Sequence, residues 1–208
     1  MSILERGRSG MALFSSPVSP YSHCARVVLA AKGINVEIID VDDNKPPEDL
    51  IDLNPYHSTP TLIDRDLVLY DPEVIGEYLD ERYPHPPLMA VDPMSRARAR
   101  LALFRIRHDW YTLVDDLDKG TTQRAEKARK MLKESIIKSN DAFAAGAFFL
   151  SDELSLVDCA IAPVLWRLKS WRIDLPRQAQ AVKDYSERVF AMESFRNSLS
   201  AEESELGF

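Results

Sequence analysis

A serine, a histidine and a cysteine crowd into residues 17–26, PVSPYSHCAR, between the short apolar run MALF and the helical pattern ARVVLAAKG. A hydroxyl or thiol at a strand-to-helix turn is a natural place for nucleophilic chemistry, provided a base lies within reach. His23 and Cys24 are neighbours on a helix, so they point about 100° apart and do not face each other. That argues against a His-Cys nucleophilic pair. Cys24, like Cys159, reads as a packed thiol. Ser19 keeps two readings, a catalytic hydroxyl and the ordinary turn chemistry of Ser-Pro.

Three other stretches could bind something. Asp71-Pro72 combines a good helix N-cap with a proline suited to the first helical position. Pro84, Pro86 and Pro87 remove three N–H groups around His85 and pre-order the backbone, so docking there would cost little entropy. The alternative for the same segment is a rigid interdomain spacer with His85 incidental. Arg96, Arg98, Arg100, Arg105 and Arg107 form a basic run that could meet nucleic acid. Arg96, Arg100 and Arg107 share a face, Leu101 and Phe104 are core candidates, and Asp109, Asp115, Asp116 and Asp118 follow closely. That mixture favours a solvated face and ion pairs across a dimer interface over DNA contact.

The elements that must position these residues alternate in the first third of the chain. MALF is a buried-strand candidate. Ala25, Val28, Leu29 and Lys32 fall near helical spacing, with Gly33 as the stop. Val36–Asp40 is β-branched and reads as a second strand. An irregular helix fits DDNKPPEDLIDLNP. Two short strands, Thr61–Ile63 and Leu67–Tyr70, flank a polar turn, and Val74, Ile75, Tyr78 and Leu79 resume the helical period. The order implies a small α/β layer with a mixed sheet. The prolines at 84–93 mark a boundary, and helices are expected beyond it. SLVDCAIAPVLWRL is apolar on all sides and should run through the core, opening with Ser155 and Asp158 at capping-box spacing. Pro163 should bend it locally. The expected division is a tail at 1–10, an α/β domain at 11–83, a linker at 84–93 and a helical domain at 94–208.

Composition narrows the functions. The 208 residues carry 26 Lys+Arg against 33 Asp+Glu, a net charge of −7. Direct, specific nucleic-acid binding needs a basic surface and is not expected. The two cysteines are far apart and form no zinc-ligand cluster, which points to a reducing compartment and no structural metal. No apolar run approaches a membrane span. The opening MSILERGRSG lacks the apolar stretch of a secretory signal. A cytoplasmic protein is expected, with a frayed acidic end at SAEESELGF.

SPYSHCARVVLAAKG, NPYHSTPTL and FFLSDELSLVDCAIAPVLWRL together resemble the cytosolic glutathione transferase family, from Met11 through nearly the whole chain. The resemblance implies a thioredoxin-like N-terminal domain with a mixed four-stranded sheet and an all-helical C-terminal domain. It implies a cis peptide at Thr59-Pro60, where the Thr59 backbone would face an extended peptide-like ligand. Read from the residues alone, Pro60 could equally just begin a strand. The family's thiol-activating residue falls at Ser19. Its carboxylate-receiving Glu-Ser or Gln-Ser pair falls at Asp71-Pro72, and proline offers neither hydroxyl nor N–H. Ser19, Thr59, Pro60, Asp71 and Pro72 therefore read as vestigial glutathione-site positions, without glutathione or another cofactor.

YSHCARVVLAAKG, DLIDLNP, EYLDERYPHPPLM and DELSLVDC are similar to an RNA-polymerase-associated bacterial branch of that family. This implies a homodimer without transferase activity that associates with RNA polymerase and its sigma factor under starvation or stress. It maps the contact onto Pro84, His85 and Pro86, with Pro87 beside them. The alternative is a glutathione-dependent transferase or peroxidase using Ser19.

Overall fold

The computed structural model describes residues 10–206; the expected tail lies outside them, Gly10 excepted. The first elements are β1 (Met11–Ser15), α1 (Pro20–Lys32), β2 (Glu37–Asp40), α2 (Glu48–Leu53), β3 (Thr61–Asp64), β4 (Leu67–Leu69) and α3 (Pro72–Arg82). They build one four-stranded sheet in the order β2-β1-β3-β4. β1 runs parallel to β2 and antiparallel to β3, with Leu13 opposite both Ile38 and Leu62. β3 and β4 form the hairpin. The mixed sheet follows from the connections. A helix carries the chain from β1 to β2, as a parallel pair requires, whereas a short turn suffices between β3 and β4.

Apolar β1 is buried along Ala12–Phe14, and Phe14 meets Val41, Leu50 and Ile63 in one cluster. α1 stops where expected. Gly33 takes φ 64°, and its N–H reaches back to Ala30. A side chain in this left-handed conformation would be strained.

The chain divides into two compact units between Pro86 and Pro87, inside the expected linker. The helical domain does not simply run on to 208. Glu193–Glu205 belongs with the first unit, through α10 (Glu193–Ser198) and α11 (Ala201–Leu206). Nor is the acidic end frayed through its described residues, which are helical over Ala201–Leu206. Ser200 and Glu203 form a reciprocal cap, each backbone N–H donating to the other's side chain at 3.0 Å. Glu203 has no exposed surface.

The second unit holds α4 (Pro93–Asp109), α5 (Val114–Lys119), α6 (Thr122–Lys138), α7 (Asn140–Ala144), α8 (Leu156–Trp166) and α9 (Gln180–Ala191). α4 starts at Pro93, because Asp92 caps it by accepting from the Ser95 N–H at 2.9 Å. The linker therefore ends one residue earlier than expected. α8 is the core helix, buried from Leu156 to Leu165, with Pro163 inside it. Its Ser155–Asp158 capping box is present. Buried Asp158 also accepts from the Phe149 N–H at 2.9 Å and the Tyr185 hydroxyl at 2.8 Å. Burial pushes its carboxyl above the ordinary value, while these hydrogen bonds oppose the shift.

One core expectation is corrected. Leu101 and Phe104 are 60% and 54% exposed, whereas Leu103 and Ile106 are buried. The helix carries two apolar pairs at i, i+3 spacing, and spacing alone does not say which pair faces inward.

Candidate functional site

Ser19 stands at the N-cap of α1 in extended backbone, but its side chain caps nothing. His23 turns away from Cys24. Its Nε2 lies 3.0 Å from the Ser198 hydroxyl, its Nδ1 lies 3.6 Å from Glu203, and its ring packs on Phe195. Cys24 is buried, and its thiol is pushed up to about 12, first by burial and then by the charges of Glu73 and Asp71. Such a thiol is not a nucleophile near neutral pH. Both cysteines are free and buried. Iodoacetamide is therefore expected to label the folded protein far more slowly than the denatured chain. Equal rates in a mildly alkaline buffer would contradict the burial.

The neighbour that matters to this turn is Arg26, which local spacing did not single out. Its Nε donates to the Ser198 carbonyl at 2.9 Å, and its Nη2 meets Glu203 Oε2 at 2.5 Å. Its Nη1 donates to the Ser15 hydroxyl and, at 3.1 Å, to the Ser16 carbonyl. The Ser200 hydroxyl donates to the Pro17 carbonyl at 2.6 Å. The turn before Ser19 is thus tied to the C-terminal segment.

Thr59-Pro60 is cis. Asn54 shapes the loop before it, donating to the Ser58 carbonyl at 3.0 Å and to Thr61 Oγ1 at 2.9 Å. The Thr59 hydroxyl donates to Asp43 at 2.8 Å. At the start of α3, Asp71 Oδ1 accepts from the N–H groups of Glu73 and Val74 at 2.9 and 3.1 Å. Pro72 has no N–H to offer. The first-turn donors that would receive an anion are thus absent or occupied by Asp71. The carboxylates of Asp71 and Glu73 add negative charge beside them.

Pro84, His85, Pro86 and Pro87 are all exposed. The His85-Pro86 bond is also cis, a feature not read from the sequence. Two side chains anchor what leads into this turn. Asp64, at the end of β3, accepts from Tyr78 at 2.6 Å and Arg82 at 3.1 Å, both on α3. Burial opposes its charge, but these hydrogen bonds prevail and hold its carboxyl below the ordinary value. Lys32 reaches the turn itself, donating to Asp80 on α3 and to the Tyr83 and Pro86 carbonyls. Among the described residues no His, Cys, Asp and Glu group could hold a metal ion, and no helix is long and apolar enough to cross a membrane.

Comparison with known proteins places these features in a family. The glutathione S-transferase N-terminal domain model matches residues 13–87, and the C-terminal domain model matches residues 121–188. The chain is 48% identical over 200 residues to a stringent starvation protein A homolog of Coxiella burnetii, covering 96% of each chain. It is 45% identical over 200 residues to the homolog from Haemophilus influenzae, covering 96% of this chain and 94% of that one. Among solved structures, the tau class glutathione S-transferase of mango, Mangifera indica, matches with a TM-score of 0.82 at 21% identity, covering 96% of each chain. That likeness concerns the fold.

Proposed function

Because the chain belongs to the stringent starvation protein A family, built on the glutathione S-transferase fold, we propose that it is a non-catalytic transcription regulator. It associates in the cytoplasm with RNA polymerase holoenzyme, sigma factor included, and alters promoter activity under starvation or stress. The observation that carries the loss of catalysis is the α3 N-terminus. Asp71 saturates the two first-turn N–H groups, and Pro72 lacks the third. These residues do not fit a glutathione carboxylate. Losing two charged hydrogen bonds of roughly 1.5–3 kcal/mol each weakens binding on the order of a hundred-fold or more. What supports a partner surface is the exposed, anchored turn at Pro84–Pro87.

Calorimetry with millimolar glutathione is expected to give no saturable heat. Pro72→Ser restores an N–H and a hydroxyl and is expected to recover part of the binding. Saturable micromolar binding by the unaltered protein would return Ser19 to a catalytic role and favour the transferase reading.

The regulator is a homodimer in this reading, with the N-terminal unit of one copy against α4 of the other. Exposed apolar side chains on both parts favour it: Leu101 and Phe104 on α4, and Tyr56 and Val74, 73% and 51% exposed, in the first unit. A single exposed leucine is unremarkable, but an exposed apolar pair on an arginine-rich helix supports this reading. The double variant Leu101→Glu, Phe104→Glu is expected to sediment as a monomer with its helical spectrum intact. A dimer in that variant would place the interface elsewhere.

A further inference from the structure

Lys32 ends α1 with a side chain that has no exposed surface. Its ammonium donates to the Asp80 carboxylate, to the Tyr83 carbonyl at 2.8 Å and to the Pro86 carbonyl at 2.5 Å. An ammonium has three protons, and three acceptors use them all. Burying such a group is costly unless it is paired and hydrogen-bonded, so this arrangement is specific. The two carbonyls flank Pro84 and His85. The last helical bond of α3 is Tyr83 N–H to Leu79. After it, Pro84 and Pro86 have no N–H, so this segment cannot build a backbone ladder of its own. Lys32 supplies from one side chain what the backbone lacks.

We propose that Lys32, balanced by Asp80, is a positioning residue that holds the Tyr83–Pro86 turn in the shape its protein partner recognises. This rests on the recognition reading given above. The turn displays pyrrolidine faces around one imidazole, a surface suited to an aromatic-lined protein groove rather than to a phosphate backbone. Its shape is set before contact, so docking loses little entropy.

The test uses the full-length protein with Lys32→Met and the paired variant Lys32→Met, Asp80→Leu. The single change takes the ammonium away from the Asp80 carboxylate, whereas the pair removes both charges. Three quantities are read on each: melting temperature, the mobility of the His85 amide by nitrogen-15 relaxation, and affinity for RNA polymerase holoenzyme. In the paired variant the melting temperature is expected near the unaltered value, with a mobile His85 amide. Affinity is expected to fall about tenfold, as when the competent conformer drops to about a tenth of the population. A His85 amide as ordered as before would overturn the proposal. So would unchanged affinity despite a mobile turn, or affinity that falls only in step with melting temperature across both variants. Alanine at Pro84, His85 and Pro86 together, measured alongside, separates the two levels. If that variant binds normally, the recognition reading fails and takes the role of Lys32 with it. If it loses binding while the paired variant does not, only the role of Lys32 fails.

Discussion

Glu203→Ala is expected to lower the melting temperature on the order of 10 °C, although the residue lies in the first turn of a short acidic helix. Glu203 is fully buried and meets Arg26, itself 7% exposed, at 2.5 Å. Removing the carboxylate leaves a buried guanidinium without its counter-charge. Breaking a buried pair this way costs about 3–5 kcal/mol, more than the net value of the intact pair. The change also removes the acceptor for the Ser200 N–H. The loss should concentrate in the first unit, because Arg26 ties α10 and α11 to the β1–α1 turn. Replacing both partners, Arg26→Met with Glu203→Leu, should recover much of the stability, since no charge is then stranded. Glu203→Gln should fall between, keeping an acceptor but not the charge. An unchanged melting temperature for Glu203→Ala, with hydrogen exchange in α1 also unchanged, would show that the segment does not hold the unit together.

The second large effect concerns binding. Changing Pro84, His85 and Pro86 together to alanine is expected to abolish association with RNA polymerase holoenzyme while leaving the fold and dimer intact. All three residues are exposed, so few core contacts are lost. The stability change should be small and arise chiefly from a less restricted unfolded chain. Lys32 bonds to backbone carbonyls at Tyr83 and Pro86, and alanine keeps that carbonyl. The spacer reading expects the opposite pattern, lower stability with binding lost only as a consequence. Pull-down and melting temperature on the same preparation separate them. Intact binding with a clear drop in melting temperature would make the segment a linker.

The sequence made legible what short-range chemistry encodes. Gly33 after Lys32, Asp71 before Pro72, and Ser155 three residues before Asp158 each mark a helix end where the structure has one. These signals work because a cap is satisfied within four residues. Asp71-Pro72 is legible this way as a helix start, whereas Ser19 stands out only as Ser-Pro turn chemistry and its side chain caps nothing. Arg26 and Lys32 are not legible this way. Their acceptors lie as far as 177 and 54 positions away, and within α1 each is one more cation on a helix. Ser200 and Glu203 do stand at capping-box spacing, but the acidic stretch around them reads as a frayed end. Nothing local shows that an arginine 177 residues upstream takes that carboxylate inside. Leu101 and Phe104 show a different limit. Their spacing matches that of Leu103 and Ile106, and only packing against the rest of the unit decides which pair is buried.

The most direct test of a partner-binding role without catalysis is a titration of the purified, full-length protein with sigma-saturated RNA polymerase. A parallel assay measures thiol conjugation with glutathione. The expected result is a saturable complex with holoenzyme, abolished by the alanine changes at Pro84, His85 and Pro86, and no conjugation above the uncatalysed rate. Glutathione turnover that depends on Ser19, with no complex formed, would contradict it.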